Sequence, residues 1–282
     1  MRINKSIKFF LLIFILAVVF TVFRKDEVNS TTTDLLTVIT YNIGTIDGRR
    51  LRPEKIVATI RKNVVPDLLL LQEVPNVKFA IKLAESLRAP FYLFSTYSDA
   101  GMNGLAILSR YPLAWPEIIR LNRRAAFVVE MTVGDNRFLV GSVHLERVKK
   151  IPKQKDKFAL SRNKAFALSM TEWFQNTPRS LAVDTLLERL DKRACKYVII
   201  GGDFNTFPFS TAIRKMDRIY DDALLKSKDY LSGTYKKLAL PVQPRIDFIF
   251  HSRNIWCVEG SVIKEGNGDH FPVRATLLLL SD

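Results

Sequence analysis

Tyr197–Pro208 reads YVIIGGDFNTFP, and this stretch decides how the rest of the chain is understood. Tyr197 to Ile200 is an apolar run, too short for a helix and rich in β-branched side chains, which predicts a buried strand. Gly201 and Gly202 break it, and Asp203 and Asn205 follow two residues apart. In extended chain that spacing sends both side chains to one side. A carboxylate, able to orient a water or a metal, and a carboxamide, able to donate to an anionic oxygen, therefore leave a core strand together. Alone, the stretch is better read as an Asp/Asn turn. Partners at other strand ends would make it a site.

Upstream, Ala165–Lys192 predicts helix in two pieces around Pro178, the crossover that a layered α/β arrangement places before such a strand. Phe127–Val133 and Arg137–Leu145 predict a hairpin turned at Gly134, Asp135 and Asn136, and its second arm ends at His144. A lone histidine is more often structural, but a strand terminus makes the functional reading about even. Phe91–Thr96 and Gly104–Ser109 are further strands. Leu68–Val74 (LLLLQEV) is a buried strand ending at Glu73, a carboxylate costly to bury without a cation or donor. A helical stretch starting near Pro53 and running to Val65 precedes it. Leu35–Ile43 is a strand whose last polar residue is Asn42, before Gly44.

Downstream, Phe209–Met216 predicts a short helix and Tyr220–Gln243 an irregular segment. Arg245–His251 is a strand with Asp247 near its start, and Ile255–Ile263 is another. Asp269 and His270 stand just before the closing strand Phe271–Leu280. No internal repeat or low-complexity segment interrupts this region.

With 282 residues, 48% of them hydrophobic, the chain has material for a sizeable core. Lys and Arg number 43 against 28 acids, a formal charge of +15, which favours nucleic acid or an anionic membrane surface. Cys195 and Cys257 fit no metal-ligand spacing, so packed free thiols are expected, with one disulfide between them as the alternative. Residues 1–28 read as a signal anchor: Arg2, Lys5 and Lys8 precede the apolar run Phe9–Phe23, interrupted only by Thr21, and Arg24, Lys25, Asp26 and Glu27 close it. No small-x-small cleavage site follows, so an uncleaved anchor ranks ahead of a cleaved signal peptide, which would leave a secreted or periplasmic protein. Either places the catalytic part outside the cytoplasmic membrane. Residues 29–34 are a polar linker and residues 35–282 one catalytic domain.

Asn42, Glu73, His144, Asp203 with Asn205, Asp247, and Asp269 with His270 thus all fall at strand ends. The segments that carry them, TYNI, LLLLQEV, GLAILSRYP, VGSVHL, GGDFN, RIDFIF and GDHFPV, resemble in order the motifs of the endonuclease/exonuclease/phosphatase superfamily, the group of DNase I, the sphingomyelinases and the inositol polyphosphate phosphatases. The resemblance runs from about Val38 to Leu278 and implies a DNase I-like α/β fold (α+β), a four-layered α/β/β/α sandwich. It implies a metal-dependent phosphoesterase working by direct water attack. Glu73 would ligate Mg²⁺, with Mn²⁺ or Ca²⁺ as alternatives, and Asn42 and Asp269 would stand near the same ion. Asp203 would orient or deprotonate the water, and Asn205 would donate to the phosphorane oxygens. His270, its tautomer fixed by Asp247, would contact the scissile phosphate, and His144 would serve on the leaving side.

Departures narrow the branch. His144 stands where abasic-site endonucleases carry tyrosine, Gly44 lacks their acidic side chain, and QPRIDF replaces the tryptophan-containing segment of inositol 5-phosphatases. The pattern is most similar to bacterial, often membrane-anchored members. For the substrate, nucleic acid leads slightly, on the charge and on Arg49, Arg50 and Arg52 after Asn42 and Lys149 and Lys150 after His144. The anchor favours a phospholipid or sphingomyelin headgroup instead. A non-catalytic binding module on the same fold, marked by a lost catalytic residue, is the third reading. A monomer is expected.

Overall fold

The computed structural model describes residues 35–44, 52–96, 103–147, 170–236, 243–266 and 268–279. Residues 1–34, expected above to be an anchor and linker, and Arg49, Arg50, Lys149 and Lys150 lie outside the described residues.

Among the described residues, twelve strands form two mixed six-stranded sheets. The first sheet is ordered β11-β12-β1-β2-β4-β3, where β1 is Leu35–Asn42, β2 Leu68–Val74, β3 Phe91–Thr96, β4 Gly104–Ser109, β11 Ile255–Val262 and β12 Val273–Leu279. The second is ordered β5-β6-β7-β8-β10-β9, where β5 is Leu113–Leu121, β6 Arg124–Val133, β7 Asn136–His144, β8 Tyr197–Asp203, β9 Asp221–Asp222 and β10 Asp247–His251. Val38, Leu70, Ile107, Val129, Val140 and Ile249 belong to the apolar layer between them. Helices α1 (Pro53–Asn63) and α2 (Val77–Leu87) cover the outer face of the first sheet through Ile56, Ile60, Leu83 and Ala84. Helices α3 (Pro178–Asp191) and α4 (Thr211–Asp217) cover the second through Val183, Leu186 and Ile213. This is the four-layered sandwich that the motifs imply.

The predicted strands β2, β3 and β4 form with the expected bounds, and Pro178 starts a helix at its first position, with Thr177 and Ser180 forming the capping box. Two elements go beyond the sequence reading. Asn76 caps α2 by accepting from the Phe79 N–H, and β5 is an exposed edge strand that tolerates Pro116. Cys195 and Cys257 are both free thiols, the first of the two alternatives.

Direction of strand is what builds the site. β1 and β2 are parallel neighbours in one sheet, β7 and β8 in the other, and Asn42 and Asp203, at the ends of β1 and β8, meet in a hydrogen bond. The glycine pair lets β8 lie close to β7 beside it and to the opposite sheet. A Cβ on Gly202 would stand 1.9 Å from the Val143 carbonyl oxygen, and one on Gly201 would meet Leu70 of the opposite sheet at 2.9 Å. Between the sheets, Gln72 donates to Ser142 Oγ at 3.0 Å and Ser142 donates to the Leu71 carbonyl at 2.9 Å, so a buried polar bridge runs directly beneath the strand ends.

Candidate active site

Asp203 is the centre. Its Oδ2 accepts from Asn42 Nδ2 at 2.9 Å and from Asn205 Nδ2 at 3.1 Å, and its Oδ1 accepts the Asn205 backbone N–H at 2.9 Å. The Nε2 atoms of His144 and His270 stand 3.6 and 3.7 Å from the same Oδ2. His270 is held from behind by Asp247, whose Oδ2 lies 2.9 Å from Nδ1. Asp247 is positioned in turn by Thr234, whose hydroxyl accepts the N–H groups of Ile246 and Asp247 at 3.0 and 3.1 Å and whose carbonyl accepts from Phe271 at 2.7 Å. Arg245 is structural: it pairs with Asp222 in the interior and lies over the rings of Tyr230 and Phe248.

Glu73 lies at the mouth. Its backbone is left-handed, with φ of 57°, and the β2–β4 register shifts between Leu71 and Val74. The bulge turns the carboxylate out of the strand, against a conformational cost of about 1 kcal/mol. Its Oε1 accepts from Arg147 at 3.1 Å and lies 3.9 Å from His144 Nε2. A Cβ on Gly44 would fall 2.2 Å from Glu73 Oε2 and 3.0 Å from Asn42 Oδ1. The missing side chain is therefore a space between two oxygen donors, and the donor set suits a hard divalent cation. Asp269 is buried close by, its carbonyl accepting from Lys236 and its charge acting on Arg147, Tyr235 and Lys236.

The electrostatics separate the two histidines. Burial, then the charges of Arg124 and Arg147, hold His144 well below its usual pKa, so it is neutral. Burial also opposes charge on His270, but Asp247 and Asp203 outweigh it and raise that imidazole to about 9. Burial, reinforced by Asp247 and opposed by His270, raises Asp203 to about 7. A carboxylate titrating near neutrality beside a charged imidazole is an arrangement suited to proton transfer.

The structure thus brings Asn42, Glu73, His144, Asp203, Asn205, Asp247 and His270 together. One expected role changes. Both amide hydrogens of Asn205 are engaged, by the Leu145 carbonyl at 2.8 Å and by Asp203, so Asn205 fixes the carboxylate and the loop rather than facing an incoming phosphate. Among the described residues, ligand atoms of Asp203, Asp247 and His270 lie within 4.8 Å of one another. Within this group the Asp247–His270 hydrogen bond aims the imidazole Nε2 toward Asp203. Sequence reasoning missed Arg147, Thr234 and Tyr235, whose ring lies 5.0 Å from that of His270. Arg147 was hidden in a basic run, and GTY in a segment without periodicity.

A hydrolytic α/β sandwich is the class that fold and centre define. The chain belongs to the Endonuclease/Exonuclease/phosphatase family, whose model matches residues 39–274. Members are hydrolases of phosphoester bonds that depend on a divalent cation. No curated protein matches the chain by sequence. Among solved structures it is similar to an endonuclease/exonuclease/phosphatase from Beutenbergia cavernae DSM 12333 (20% identity over 87% of this chain and 72% of that one, TM-score 0.65). It is also similar to D. rerio TDP2 complexed with single strand DNA product (18%, 86% and 98%, TM-score 0.63) and to the human Nocturnin catalytic domain with bound sulfate anion (17%, 88% and 97%, TM-score 0.63).

Proposed function

We propose that the chain is a Mg²⁺-dependent phosphodiesterase acting on nucleic acid outside the cytoplasmic membrane. The observation that carries the reaction is the convergence of Asn42, Asn205, His144 and His270 on one oxygen of Asp203. Asp203 takes the proton of the attacking water, held in place by the Asn205 amide and backbone. His270, charged and oriented by Asp247, donates from Nε2 to a phosphoryl oxygen as negative charge develops there. His144, neutral and buried, lines the side toward Glu73. Glu73, Asn42 and Asp269 would hold the cation, which when bound neutralises the phosphate and the leaving oxygen.

The substrate reading is supported by the +15 charge and by Arg147 at the mouth, and it accords with the DNA product held by the similar TDP2. The apolar run Phe9–Phe23, preceded by the basic residues Arg2, Lys5 and Lys8, supports an anchor that leaves the catalytic domain on the outer side. Among the described residues no helix is long and apolar enough to cross a membrane. The test is incubation of purified protein with plasmid DNA, RNA, sphingomyelin, phosphoinositides and a generic phosphodiester, with Mg²⁺ or with chelator. Mg²⁺-dependent cleavage of DNA or RNA is expected. Turnover of the lipids alone would reassign the substrate, and no turnover on any would favour a binding module.

A further inference from the structure

The end of the sandwich remote from the catalytic centre carries a basic cavity with an aromatic flank that hydrolysis does not use. β1 and β2 run toward the centre, so Leu35 and Leu68 mark their far ends, and Ser109, paired with both Leu68 and Phe91, marks the same level of β4 and β3. Beside these ends lies a cavity of about 430 Å³ lined by Arg61, Val65, Leu87, Arg88 and Arg110. Among the described residues, the one ion pair these arginines make is Arg110 with Asp67, at 3.2 Å. Arg61 donates to the Ser86 carbonyl, and Arg88 ends α2 in a left-handed conformation with its side chain exposed. The cavity therefore carries a net positive charge.

Asp67 also ties the cavity to the start of β1, accepting the Thr37 N–H at 2.8 Å and donating its own N–H to the Thr37 carbonyl at 2.8 Å. From Arg110 the chain turns into β5, where a bulge between Ala114 and Glu117 leaves Trp115 72% exposed. Phe91 and Val65 are exposed nearby, at 37% and 45%. Guanidinium groups bind phosphate in forked geometry, and tryptophan favours the level of lipid headgroups.

We propose that this end is a docking surface for an anionic lipid bilayer, with Arg61, Arg88 and Arg110 taking lipid phosphates and Trp115 and Phe91 seated among the headgroups. The proposal rests on the reading of Phe9–Phe23 as an anchor. Residues 24–34, eleven in all, span ~40 Å at full extension before Leu35. An anchored chain thus delivers the Leu35 end to the membrane. The catalytic mouth then opens away from the lipid, and substrate reaches it from solution.

Full-length protein is reconstituted into nanodiscs of phosphatidylcholine with or without phosphatidylserine, and quenching of Trp115 by brominated acyl chains is read against a Trp115→Phe control. The charge-reversed variant Arg61→Glu/Arg88→Glu/Arg110→Glu is run beside it, with hydrolysis of a soluble phosphodiester as the check on folding. Trp115 quenching several-fold stronger with phosphatidylserine, and lost on charge reversal, is the expected result. Equal quenching in both lipids, or quenching indifferent to charge reversal, overturns the proposal. Extraction of the discs with alkaline carbonate separates the two readings, since an anchored chain stays with the lipid. If it is released, flotation with phosphatidylserine vesicles decides the docking surface alone. Binding weakened at least about fivefold per arginine reversed sustains it, and absence of flotation overturns it.

Discussion

Asp247 Oδ2 stands 2.9 Å from Nδ1 of His270 and is the strongest of the charges that raise that imidazole to about 9. With Asp203 raised to about 7, the ionised carboxylate and the charged imidazole coexist between about 7 and about 9. A bell-shaped profile of kcat/KM follows, with the bound cation moving the acid limb to 7 or below. Asp247→Asn should lower kcat about 10²–10³-fold and carry the alkaline limb downward. The stability linkage has the same origin. His270 is raised above its usual 6.5, so its contribution is full below 6.5 and is lost as pH rises through about 9. Melting in chelator across that window should show the loss in the parent and not in Asp247→Asn.

Asp203→Asn separates catalysis from stability. Activity should fall at least ~10³-fold, since the proton acceptor is gone. The carboxyl is raised from 3.8 to about 7, so its burial destabilises the fold above 7 and costs nothing below 3.8. The always-neutral amide should therefore raise the metal-free melting temperature by a few degrees at pH 8 and leave it unchanged at pH 4. A variant of undiminished activity ends the assignment of Asp203 as base.

Gly44→Ala tests the cation. Its new methyl occupies the space between Glu73 Oε2 and Asn42 Oδ1. The Mg²⁺ concentration for half-maximal activity should rise about 10–100-fold, with circular dichroism unchanged. Metal titration by calorimetry gives the same shift independently of turnover.

Glu172 and Arg179 form a buried pair that ties two catalytic loops: Thr206 donates to Glu172 at 3.0 Å, and Arg179 donates to the Glu146 carbonyl at 3.2 Å. Glu172→Gln should cost about 3–5 kcal/mol of unfolding free energy, because Arg179 is left uncompensated in the interior. Arg179→Met with Glu172→Leu should recover much of that stability while kcat stays low and KM changes little. Full recovery of kcat in the double variant would falsify a positioning role.

Arg147→Ala should reduce kcat/KM on a nucleic acid about tenfold and cut the slope of log affinity against log salt by about 1. An unchanged slope means that the guanidinium serves only Glu73.

Much of this centre was legible because strand ends announce themselves: an apolar run that stops at a polar residue gave Asn42, Glu73, His144 and Asp203 their places, and alternation placed Asp247 near the start of its strand. The ordered motifs then supplied the sandwich, and both sheets and both helix layers follow it. The unread parts share a cause. Helix α2 offers an Asn76 cap and apolar spacing at Ala80, Leu83, Ala84 and Leu87, but it follows a strand too closely to stand out. Strand β5 is exposed and contains proline, so it lacks alternation. The engagement of Asn205 with Leu145 depends on a tertiary approach of two loops, which spacing along one of them does not contain. The split in charge between His144 and His270 likewise comes from neighbours distant in sequence.

The Gln72–Ser142 bridge has a consequence for how this protein fails. Asn42 and Glu73 hang from one sheet, His144 and Asp203 from the other, and the buried bridge beneath them holds the two in register. Either sheet alone would be an inert half. A partly melted species that keeps one sheet intact would retain strand signal in circular dichroism and have no turnover. Loss of activity on heating would then precede loss of secondary structure, and the interval between the two would measure how far the halves part before they unravel.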